Sequence, residues 1–582
     1  MVLTLLIIEM SMFAFYIQPI KAGQPIYIKS DGSISPSGVP ISSVDNVTYV
    51  FTGNINDPIV VERSNIIIDG NRYILHGSGS EKGFDLSGMS NVTIKNATIE
   101  NFLFGIYLFK SSMSVISENN VTNNEYGIWL TESSLSNVST NVITSNGYYG
   151  INLLSSPYII VSENNVTNNK YGIKLYSSSN TRLSGNNISN NCNGIFMETC
   201  LNNTFSGNVL NGNTYNVNIW GYNLLECTHS IDTSNLVDGK PIYYIVNQTD
   251  LVINLATHPQ VGYLALVHCS NVTVEGLILT NNGQGVLFAF TTNSKIAENN
   301  LVNNYYGILL LWSSYNNIVG NSVTNNDCGI YLDTSSFCNV SRNSVINNYL
   351  GIDLHWSSFG LVSENYVREN HFGILLYSCS GRGSFSNRIY HNDFLNNLIQ
   401  VRNSYCEETP RYTNLWDDGF EGNYWSNYTG VDLDHDGIGN FEHVIDENNQ
   451  DNHPLMGMFS DFKATSEHHV QTICNSSISD FQFSGTAICF NVTGENGTSG
   501  FCRICIPTAL INEIYKVFVN GTEVSYNLLS CSNSTHSYLY FNYTHSTQEV
   551  IIIPEFPSFR ILLLFMITTL LAVTVYRRKH SM

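Results

Sequence analysis

Residues 123–130 read Asn-Asn-Glu-Tyr-Gly-Ile-Trp-Leu, and the same pattern returns as Asn-Asn-Lys-Tyr-Gly-Ile-Lys-Leu at 168–175 and Asn-Asn-Asp-Cys-Gly-Ile-Tyr-Leu at 325–332. A glycine followed by an aliphatic residue recurs about every 22 residues. The series comprises Gly83, Gly105, Gly127, Gly150, Gly172, Gly194, Gly285, Gly307, Gly329, Gly351 and Gly373. Apolar and variable residues alternate after each glycine, which predicts a short strand with one buried side. A coil of this length cannot bury that side alone, so the coils must stack as a parallel β-helix.

Asparagine pairs support the same fold, because most repeats place them three or four residues before the glycine. The pairs are Asn123/Asn124, Asn168/Asn169, Asn190/Asn191, Asn303/Asn304, Asn325/Asn326 and Asn347/Asn348. Asparagine tolerates the left-handed backbone of a tight corner, and its amide can bond to the same amide of the next coil. We therefore assign these residues a structural role.

The sequence predicts an all-β chain organised around one right-handed parallel β-helix. The predicted segments are a signal-peptide-like stretch (1–22), an N-terminal cap (23–60), the β-helix (61–405, with modified coils or an insertion at 221–262), a C-terminal cap with an acidic loop (406–461), a small sandwich-like β domain (462–553), and a Pro-Glu-Phe-Pro motif with a transmembrane helix and basic tail (554–582). The β-helix is expected to be a continuous stack from Gly83 to Gly373, with about 13 coils and a length of about 60 Å.

Charge and composition narrow the function classes. The chain has 582 residues and a formal net charge of −21, and only 12% of its residues are charged. An acidic chain without basic clusters argues against a nucleic-acid partner. Sequons such as Asn91-Val-Thr are dense, but the repeat itself spells Asn-Val-Thr, so they are weak support for a glycoprotein. The 13 cysteines are consistent with some disulfides in the C-terminal region.

Both chain ends carry membrane-type patterns. Residues 2–16 are largely apolar and 19–23 resemble a small-residue cleavage site, although the basic leader of a secretory signal is missing. Residues 561–576 are almost wholly apolar and precede Arg577-Arg-Lys579, which predicts a membrane span with a cytoplasmic tail. The rest of the chain is then expected at the extracellular face of the cell membrane.

The repeat and its flanking motifs resemble a known family. The Asn-Asn-x-x-Asn-Asn-x-Tyr-Gly-Ile coils, the interruption Asp238-Gly-Lys-Pro-Ile-Tyr-Tyr244, and the ending from Gly422-Asn-Tyr-Trp-Ser426 to residue 455 are similar to NosD-type β-helix proteins of archaea. This resemblance covers about residues 45 to 456. It implies the wider class of carbohydrate-binding and sugar-hydrolase β-helices, and the family name implies copper delivery to nitrous oxide reductase. Pro554-Glu-Phe-Pro557 resembles a PEF-type sorting motif, which implies an archaeosortase as a partner.

Candidate functional residues lie in the late coils, where positions two and four after the glycine are expected to face solvent. Asp333, Asp353 and His355 are the candidate catalytic residues, because paired carboxylates with a histidine can perform acid–base chemistry on a sugar. Aromatic rings stack on pyranose faces, so the candidate ligand-binding residues are Trp312, Tyr331, Trp356 and Tyr377. The alternative is a polar outer face with ordinary aromatic packing. Trp129, Lys174, Tyr176 and Glu198 form an earlier and more scattered set.

The clearest ligand motif is Asp432-Leu-Asp-His-Asp-Gly-Ile438. Its alternating carboxylates, Asp432, Asp434 and Asp436, followed by the Ile438 carbonyl, match the first half of a calcium loop. Position twelve is a histidine rather than a glutamate, so a complete EF-hand is excluded, and we expect Asp446, Glu447 or Asp451 to close the shell. The alternative is an acidic turn. Copper rests on the family resemblance alone, because histidines are scattered in the sequence.

These observations favour a membrane-anchored surface protein that binds glycans or surface proteins along the β-helix without catalysis. Two alternatives stay open. One is a polysaccharide lyase, glycoside hydrolase or epimerase that uses Asp333, Asp353 and His355, and the other is a copper-delivery accessory protein.

Overall fold

The structure is a computed structural model that describes residues 24–378, 383–405, 413–511 and 515–554. The predicted signal segment, transmembrane helix and basic tail lie outside the described residues. The described chain is almost entirely β-structure, and its one helix is a 3-10 turn at Leu224–Cys227. Within the described ranges, no helix has the length and apolar character needed to cross a membrane.

The predicted parallel β-helix is confirmed, with about 15 turns rather than 13. However, the prediction of one continuous stack from Gly83 to Gly373 is wrong. The coils form two stacks: a first stack up to Val237 and a second from Lys240 to Trp425. Leu236–Val237 and Lys240–Val246 pair antiparallel, so the chain reverses between the stacks.

Each stack has three parallel sheets that enclose an apolar core. Sheet 1 of the first stack contains Ile26–Ile28, Ile59–Val61, Lys82–Asp85, Phe104–Phe109, Tyr126–Thr131, Tyr149–Leu154, Tyr171–Tyr176, Asn193–Glu198 and Tyr215–Trp220, with Ile34–Ser35 antiparallel at its edge. Sheet 2 contains Thr48–Phe51, Ile66–Asp69, Val92–Lys95, Val115–Ser117, Asn137–Ser139, Ile160–Ser162, Arg182–Ser184, Thr204–Ser206 and Ser230–Ile231, with Ile41–Ser42 antiparallel at its edge. Sheet 3 contains Ile74–His76, Thr98–Glu100, Asn120–Thr122, Val142–Thr144, Asn165–Thr167, Asn187–Ser189, Val209–Asn211 and Leu236–Val237.

The second stack continues from sheet 3 through the antiparallel pair. Sheet 4 contains Lys240–Val246, Tyr263–Val267, Gln284–Ala289, Tyr306–Leu311, Cys328–Asp333, Leu350–His355, Phe372–Ser378 and Ile399–Tyr405. Sheet 5 contains Val252–Ile253, Thr273–Glu275, Lys295–Ala297, Asn317–Val319, Asn339–Ser341, Leu361–Ser363 and Arg388–Tyr390. Sheet 6 contains Ile278–Thr280, Asn300–Val302, Ser322–Thr324, Ser344–Ile346, Tyr366–Arg368, Asp393–Leu395 and Tyr424–Trp425.

The two asparagines of each pair have different structural roles. In the pair Asn123/Asn124, Asn123 takes the left-handed conformation at φ 55°, whereas Asn124 is buried. The Asn124 amide donates to the Asn146 side-chain oxygen one coil later at 3.1 Å, and the Asn124 side-chain oxygen accepts from the Phe102 backbone at 3.0 Å. The predicted asparagine column is therefore confirmed, and it runs through the inside of the corner.

The repeated glycine is required by the distance between coils. A Cβ atom added at Gly127 would lie 2.6 Å from the Gly150 carbonyl oxygen. Real Cβ atoms do not come so close to backbone, so any side chain here would push two coils apart.

The two stacks meet because the outer side of sheet 4 is apolar at its start. Tyr263, Ala265, Val267, Leu287, Ala289, Leu309 and Leu311 belong to the same buried cluster as the core of the first stack. The inner residues of those strands, such as Leu310, pack instead into the separate core of the second stack. The open end of the first core is thus closed by the outer face of sheet 4.

We call this contact between the two stacks the joint. Buried hydrogen bonds fix its geometry. Gln284 is fully buried, and its amide donates to the Asn218 side-chain oxygen at 2.9 Å and to the Ile219 carbonyl at 3.1 Å. The Tyr263 hydroxyl donates to the Gln284 oxygen at 2.8 Å. Satisfied buried polar groups specify one arrangement, because a shifted stack would leave them unpaired.

The C-terminal part forms a two-sheet sandwich around its own core. One sheet contains Met458–Lys463, His469–Cys474, Ser499–Pro507, His536–Thr544 and Tyr526–Leu528, and the other contains Ser477–Phe483, Ile488–Thr493, Gln548–Pro554, Tyr515–Val519 and Thr522–Val524. A small hairpin, His443–Asp446 with Asn449–Asp451, precedes it. A buried ion pair between Arg503 and Glu421 at 2.6 Å joins the sandwich to the cap of the second stack.

The joint predicts that the same substitution destabilises the protein to different degrees at two leucines of sheet 4. Leu309 and Leu375 occupy the same register position, but Leu309 is fully buried in the joint, whereas Leu375 is half-buried beyond it. We expect Leu309→Asp to lower the unfolding free energy by about 3–5 kcal/mol, because it buries a charge in an apolar contact. Leu375→Asp should cost much less. Differential scanning calorimetry of both variants is the measurement, and equal losses would contradict the joint.

Candidate functional site

A continuous run of aromatic rings covers the outer face of sheet 1. We call it the aromatic strip, and it consists of Phe104, Tyr107, Tyr126, Trp129, Tyr148, Tyr149, Tyr171 and Phe196. Ring centroids in successive coils lie 4.9 Å apart between Phe104 and Tyr126 and 5.3 Å apart between Tyr149 and Tyr171. These rings are half-buried, so each presents part of its surface to solvent.

The repeat itself positions these rings. The residue before each glycine and the residue two after it project outward, as Tyr126 and Trp129 do around Gly127, while Ile128 points into the core. Lys174 holds its ammonium 5.5 Å from the Tyr171 ring centre and 5.3 Å from that of Phe196, which places a cation over the last rings of the strip.

The aromatic strip ends at the joint between the stacks. Trp220 lies in the last strand of sheet 1, and its ring is 5.8 Å from that of Tyr306 and 6.1 Å from that of Tyr331 on sheet 4. The outer faces of sheets 1 and 4 therefore meet at a corner. We call the outer face of sheet 1 the floor of this corner and the outer face of sheet 4 its wall.

A cleft of about 310 Å³ lies in this corner. We call it the corner cleft, and it is lined by Tyr171, Asn193, Phe196, Glu198, Tyr215, Asn218, Trp220, Tyr222, Tyr305 and Tyr306. The Tyr215 hydroxyl donates to the Asp327 carboxylate at 2.9 Å, which ties floor to wall. Burial raises the pKa of Tyr215, Tyr222 and Tyr305, so these phenols stay neutral and their oxygens can accept from a ligand.

The wall of the corner carries the predicted catalytic residues, and the structure places them on adjacent strands. Asp333 pairs in register with His355, and Tyr331 pairs with Asp353. They lie on the outer face as predicted, but the expectation that they face solvent is wrong for Asp333 and Asp353, which are only 7% and 3% exposed.

Burial also shifts the ionisation of Asp353 and His355. Burial, followed by the charge of Asp333, raises the pKa of Asp353 well above its usual range, which favours the neutral form of this carboxyl. Burial lowers the pKa of His355 to about 4, which keeps the imidazole neutral. Among the described residues, Asp353 Oδ1 has no hydrogen-bond partner.

Three of the four predicted ligand-binding aromatics come together around His355. The imidazole lies 5.8 Å from the Tyr331 ring and 4.4 Å from the Trp356 ring, and it stacks on Tyr377 at 4.1 Å. Trp312 instead stacks on Phe290 at 6.2 Å.

Sequence reasoning missed the residues that contribute most to the corner. The tyrosines before each glycine were interpreted as part of the repeat, and Trp220, Tyr222, Tyr305 and Tyr306 were not considered as site residues. A usable pattern was present, because the outward positions after Gly285 and Gly307 are occupied by leucine and alanine. Apolar residues at outward positions predict a second buried face.

The acidic loop gathers only part of its predicted shell. Asp432, Asp434 and Asp436 have ligand atoms within 4.8 Å of one another. The Asp432 carboxylate also accepts from the Asp436 and Gly437 backbone at 3.0 and 2.9 Å. Burial raises the pKa of Asp436, and the neighbouring carboxylates add to that effect while Arg503 opposes it.

The other predicted members of the shell contribute differently. Ile438 is buried and bridges Leu455 at the base of the loop. Asp446 lies in the hairpin, where it accepts hydrogen bonds from Asn403 and Asn449, and Glu447 lies beside it. Neither belongs to the carboxylate group of the loop.

A family model described as "Periplasmic copper-binding protein (NosD)" matches residues 33–243 and 227–430. The comparison with curated proteins gave no significant match.

Among solved structures, a mutant tailspike protein of Escherichia coli bacteriophage HK620 has 9% identity, with 87% of this chain and 82% of that chain covered at a TM-score of 0.27. Another HK620 tailspike mutant, in complex with a pentasaccharide, has 11% identity, with 87% and 85% covered at a TM-score of 0.27. The A-module of the mannuronan C-5 epimerase AlgE6 of Azotobacter vinelandii has 13% identity, with 63% and 87% covered at a TM-score of 0.20. At these values the likeness concerns the fold alone.

The matched family description implies copper, but the described residues do not fit a copper site. Their only group of three or more potential metal ligands is the carboxylate set of the acidic loop. His391 bonds to Glu421 and stacks on Phe459, and His443 stacks on Trp425. Copper prefers clustered imidazole and sulfur ligands, and the described residues form no group of three or more of them.

The buried carboxyl of Asp353 gives a pH-dependent prediction. The folded-state pKa is above the unfolded value of about 3.8, so the folded state holds a proton that the unfolded chain releases. The stability that the protonated carboxyl contributes is complete below that unfolded pKa and is lost as pH rises towards the folded pKa. We expect Asp353→Asn to become more stable than the wild type as pH rises from 5 to 8, by up to about 1.4 kcal/mol per pH unit.

Thermal melting of both proteins across this pH range is the measurement. Glu298→Gln changes an exposed carboxylate of the same stack and serves as the control. A difference between Asp353→Asn and wild type that stays constant with pH would show that the Asp353 carboxyl is not protonated in the folded state.

Proposed function

The chain belongs to the NosD family of β-helix proteins, and from this membership and the aromatic strip we propose that it is a cell-surface protein that binds glycans. The observation that carries the proposal is the unbroken contact of eight rings along sheet 1. Half-buried aromatic rings are rigid, so they bind a ligand with little loss of conformational entropy.

The spacing and the charge of the strip support a polysaccharide. Its rings recur about every 5 Å, because successive coils are one strand spacing apart, and this is similar to the length of one pyranose unit. Lys82, Lys170 and Lys174 hold their ammonium groups over the strip rings of Tyr107, Tyr148 and Tyr171. A long face of rings with three separate cations suits sugar rings better than nucleic acid, which requires clustered basic residues.

The glycan proposal predicts a specific loss of affinity. Trp129→Ala removes a ring from the middle of the strip and should weaken binding of a glycan about tenfold, the equivalent of about 1.4 kcal/mol. Tyr315→Ala is the matched control, because Tyr315 is 56% exposed on the second stack and stacks on Phe337, away from the strip. A glycan array followed by calorimetric titration of the strongest hit is the measurement. Equal losses in both variants, or no binding to any glycan, would contradict the proposal.

A second candidate function, cleavage or epimerisation of the glycan, is favoured by one observation. Asp353 and His355 lie two residues apart on the outer face of one strand, burial raises the pKa of Asp353 and lowers that of His355, and such groups can act as acid and base. Product analysis of the bound glycan tests it. Turnover that Asp353→Asn abolishes, while binding persists, would favour the enzyme.

We also propose calcium for the acidic loop, because a cation would relieve the repulsion among Asp432, Asp434 and Asp436. Calcium at 100 times its dissociation constant should stabilise the protein by about 2.7 kcal/mol relative to a chelator. The double variant Asp434→Ala, Asp436→Ala should lose this gain, and Asp232→Ala, in another exposed acidic turn, should keep it. No difference between calcium and chelator in the wild type would leave only a hydrogen-bonded turn.

The proposed location is the extracellular face of the membrane. It is supported by the word periplasmic in the family description and by the apolar segment 561–576. The anchor and its processing at Pro554-Glu-Phe-Pro557 by an archaeosortase are part of this proposal.

A further inference from the structure

The corner cleft lies where the aromatic strip can go no further. Tyr171 and Phe196 belong both to the strip and to the cleft, and Tyr305 and Tyr306 form the wall behind them. Because sheet 4 closes the end of the first stack, a glycan on the strip meets this wall. The free end of the chain would therefore enter the cleft.

The size of the cleft agrees with a chain end. Its volume of about 310 Å³ is at the lower limit of small-molecule sites, which span about 300–1,000 Å³. Trp220 and Tyr222 form one side, with ring centroids 6.4 Å apart and an interplanar angle of 69°. The two rings thus present differently oriented faces to a ligand in the cleft.

Charge in the corner is mainly negative. Glu198 is the one charged residue that lines the cleft, and the Tyr222 hydroxyl lies 3.5 Å from its carboxylate. On the wall, the Asp327 carboxylate accepts from the Tyr215 hydroxyl, and Asp333 lies one strand beyond Tyr306–Leu311, the last strand buried in the joint. Lys174 is the nearby cation, and it is held over the strip. An acidic sugar placed in the cleft would therefore meet Glu198 without a basic partner among the lining residues.

We propose that the corner cleft binds the terminal sugar of a glycan, and that this terminal sugar carries no carboxylate. This inference rests on the proposed glycan binding and specifies which part of the glycan is recognised. The phenol oxygens of Tyr215 and Tyr222, whose protons are donated to Asp327 and Glu198, accept from sugar hydroxyls, the rings stack on the sugar, and Glu198 rejects a second carboxylate.

The test uses the full chain and an array of matched oligosaccharides. Each pair has the same interior and ends in either a neutral hexose or the corresponding uronic acid, and cyclic glucans supply chains without ends. We expect each neutral-ended member to bind at least tenfold more tightly than its acid-ended partner, and the cyclic glucans to bind weakly. Equal binding within pairs, or tight binding of cyclic glucans, would overturn the inference while leaving glycan binding itself intact. Absence of binding to every probe would overturn both.

Two variants separate recognition of the end from binding along the strip. Glu198→Gln should raise the affinity for acid-ended probes about tenfold and change the affinity for neutral-ended probes less than threefold. Tyr222→Ala should weaken every neutral-ended probe, and Tyr222 is 56% exposed, so its removal should not disturb the core. Tyr315→Ala, with the same exposure, is the control, and Trp129→Ala should lower affinity without altering the preference between ends. An unchanged preference in Glu198→Gln, with melting like that of the wild type, would refute the role of the cleft.

Discussion

The buried asparagine amide that links each coil to the next is the interaction on which the rest of the structure depends. Asn124 donates to Asn146 and accepts from the backbone of Phe102, so one side chain satisfies polar groups in neighbouring coils. Leaving any of these groups unpaired would cost about 1–3 kcal/mol. The repeated ladder therefore fixes the register of every coil, and that register places all outward residues in straight columns.

The columns of outward residues form a binding surface where the sequence places aromatic side chains in them. Tyr126, Trp129 and Tyr149 are neighbours only because the coils containing them are in register. A slip by one residue would turn these side chains inward and expose the core. The same scaffold that limits variation inside the β-helix thus allows wide variation on its surface, and this explains how one fold can present a glycan-binding strip, a joint or a catalytic group.

The joint between the stacks creates a local environment that neither stack has alone. Sheet 4 is covered at Leu309 and Leu311 and carries ionisable groups on the following strands. Desolvation next to this covered region raises the pKa of Asp353 and lowers that of His355. The wall of the corner is therefore less charged than its sequence suggests, which suits a surface that contacts the apolar faces of sugars.

The sequence by itself determined the coil, because period, glycine and asparagine act between neighbouring repeats of about 22 residues. It also placed Asp333 and His355 on adjacent strands, since register follows from the repeat. It did not predict the turn between the stacks or the contact of Trp220 with Tyr306, residues that lie far apart in the chain. That contact arises when the apolar outer face of sheet 4 closes the open end of the first core. Only the tertiary structure decides which exposed apolar face is buried against which core, because hydrophobic burial has no sequence register of its own.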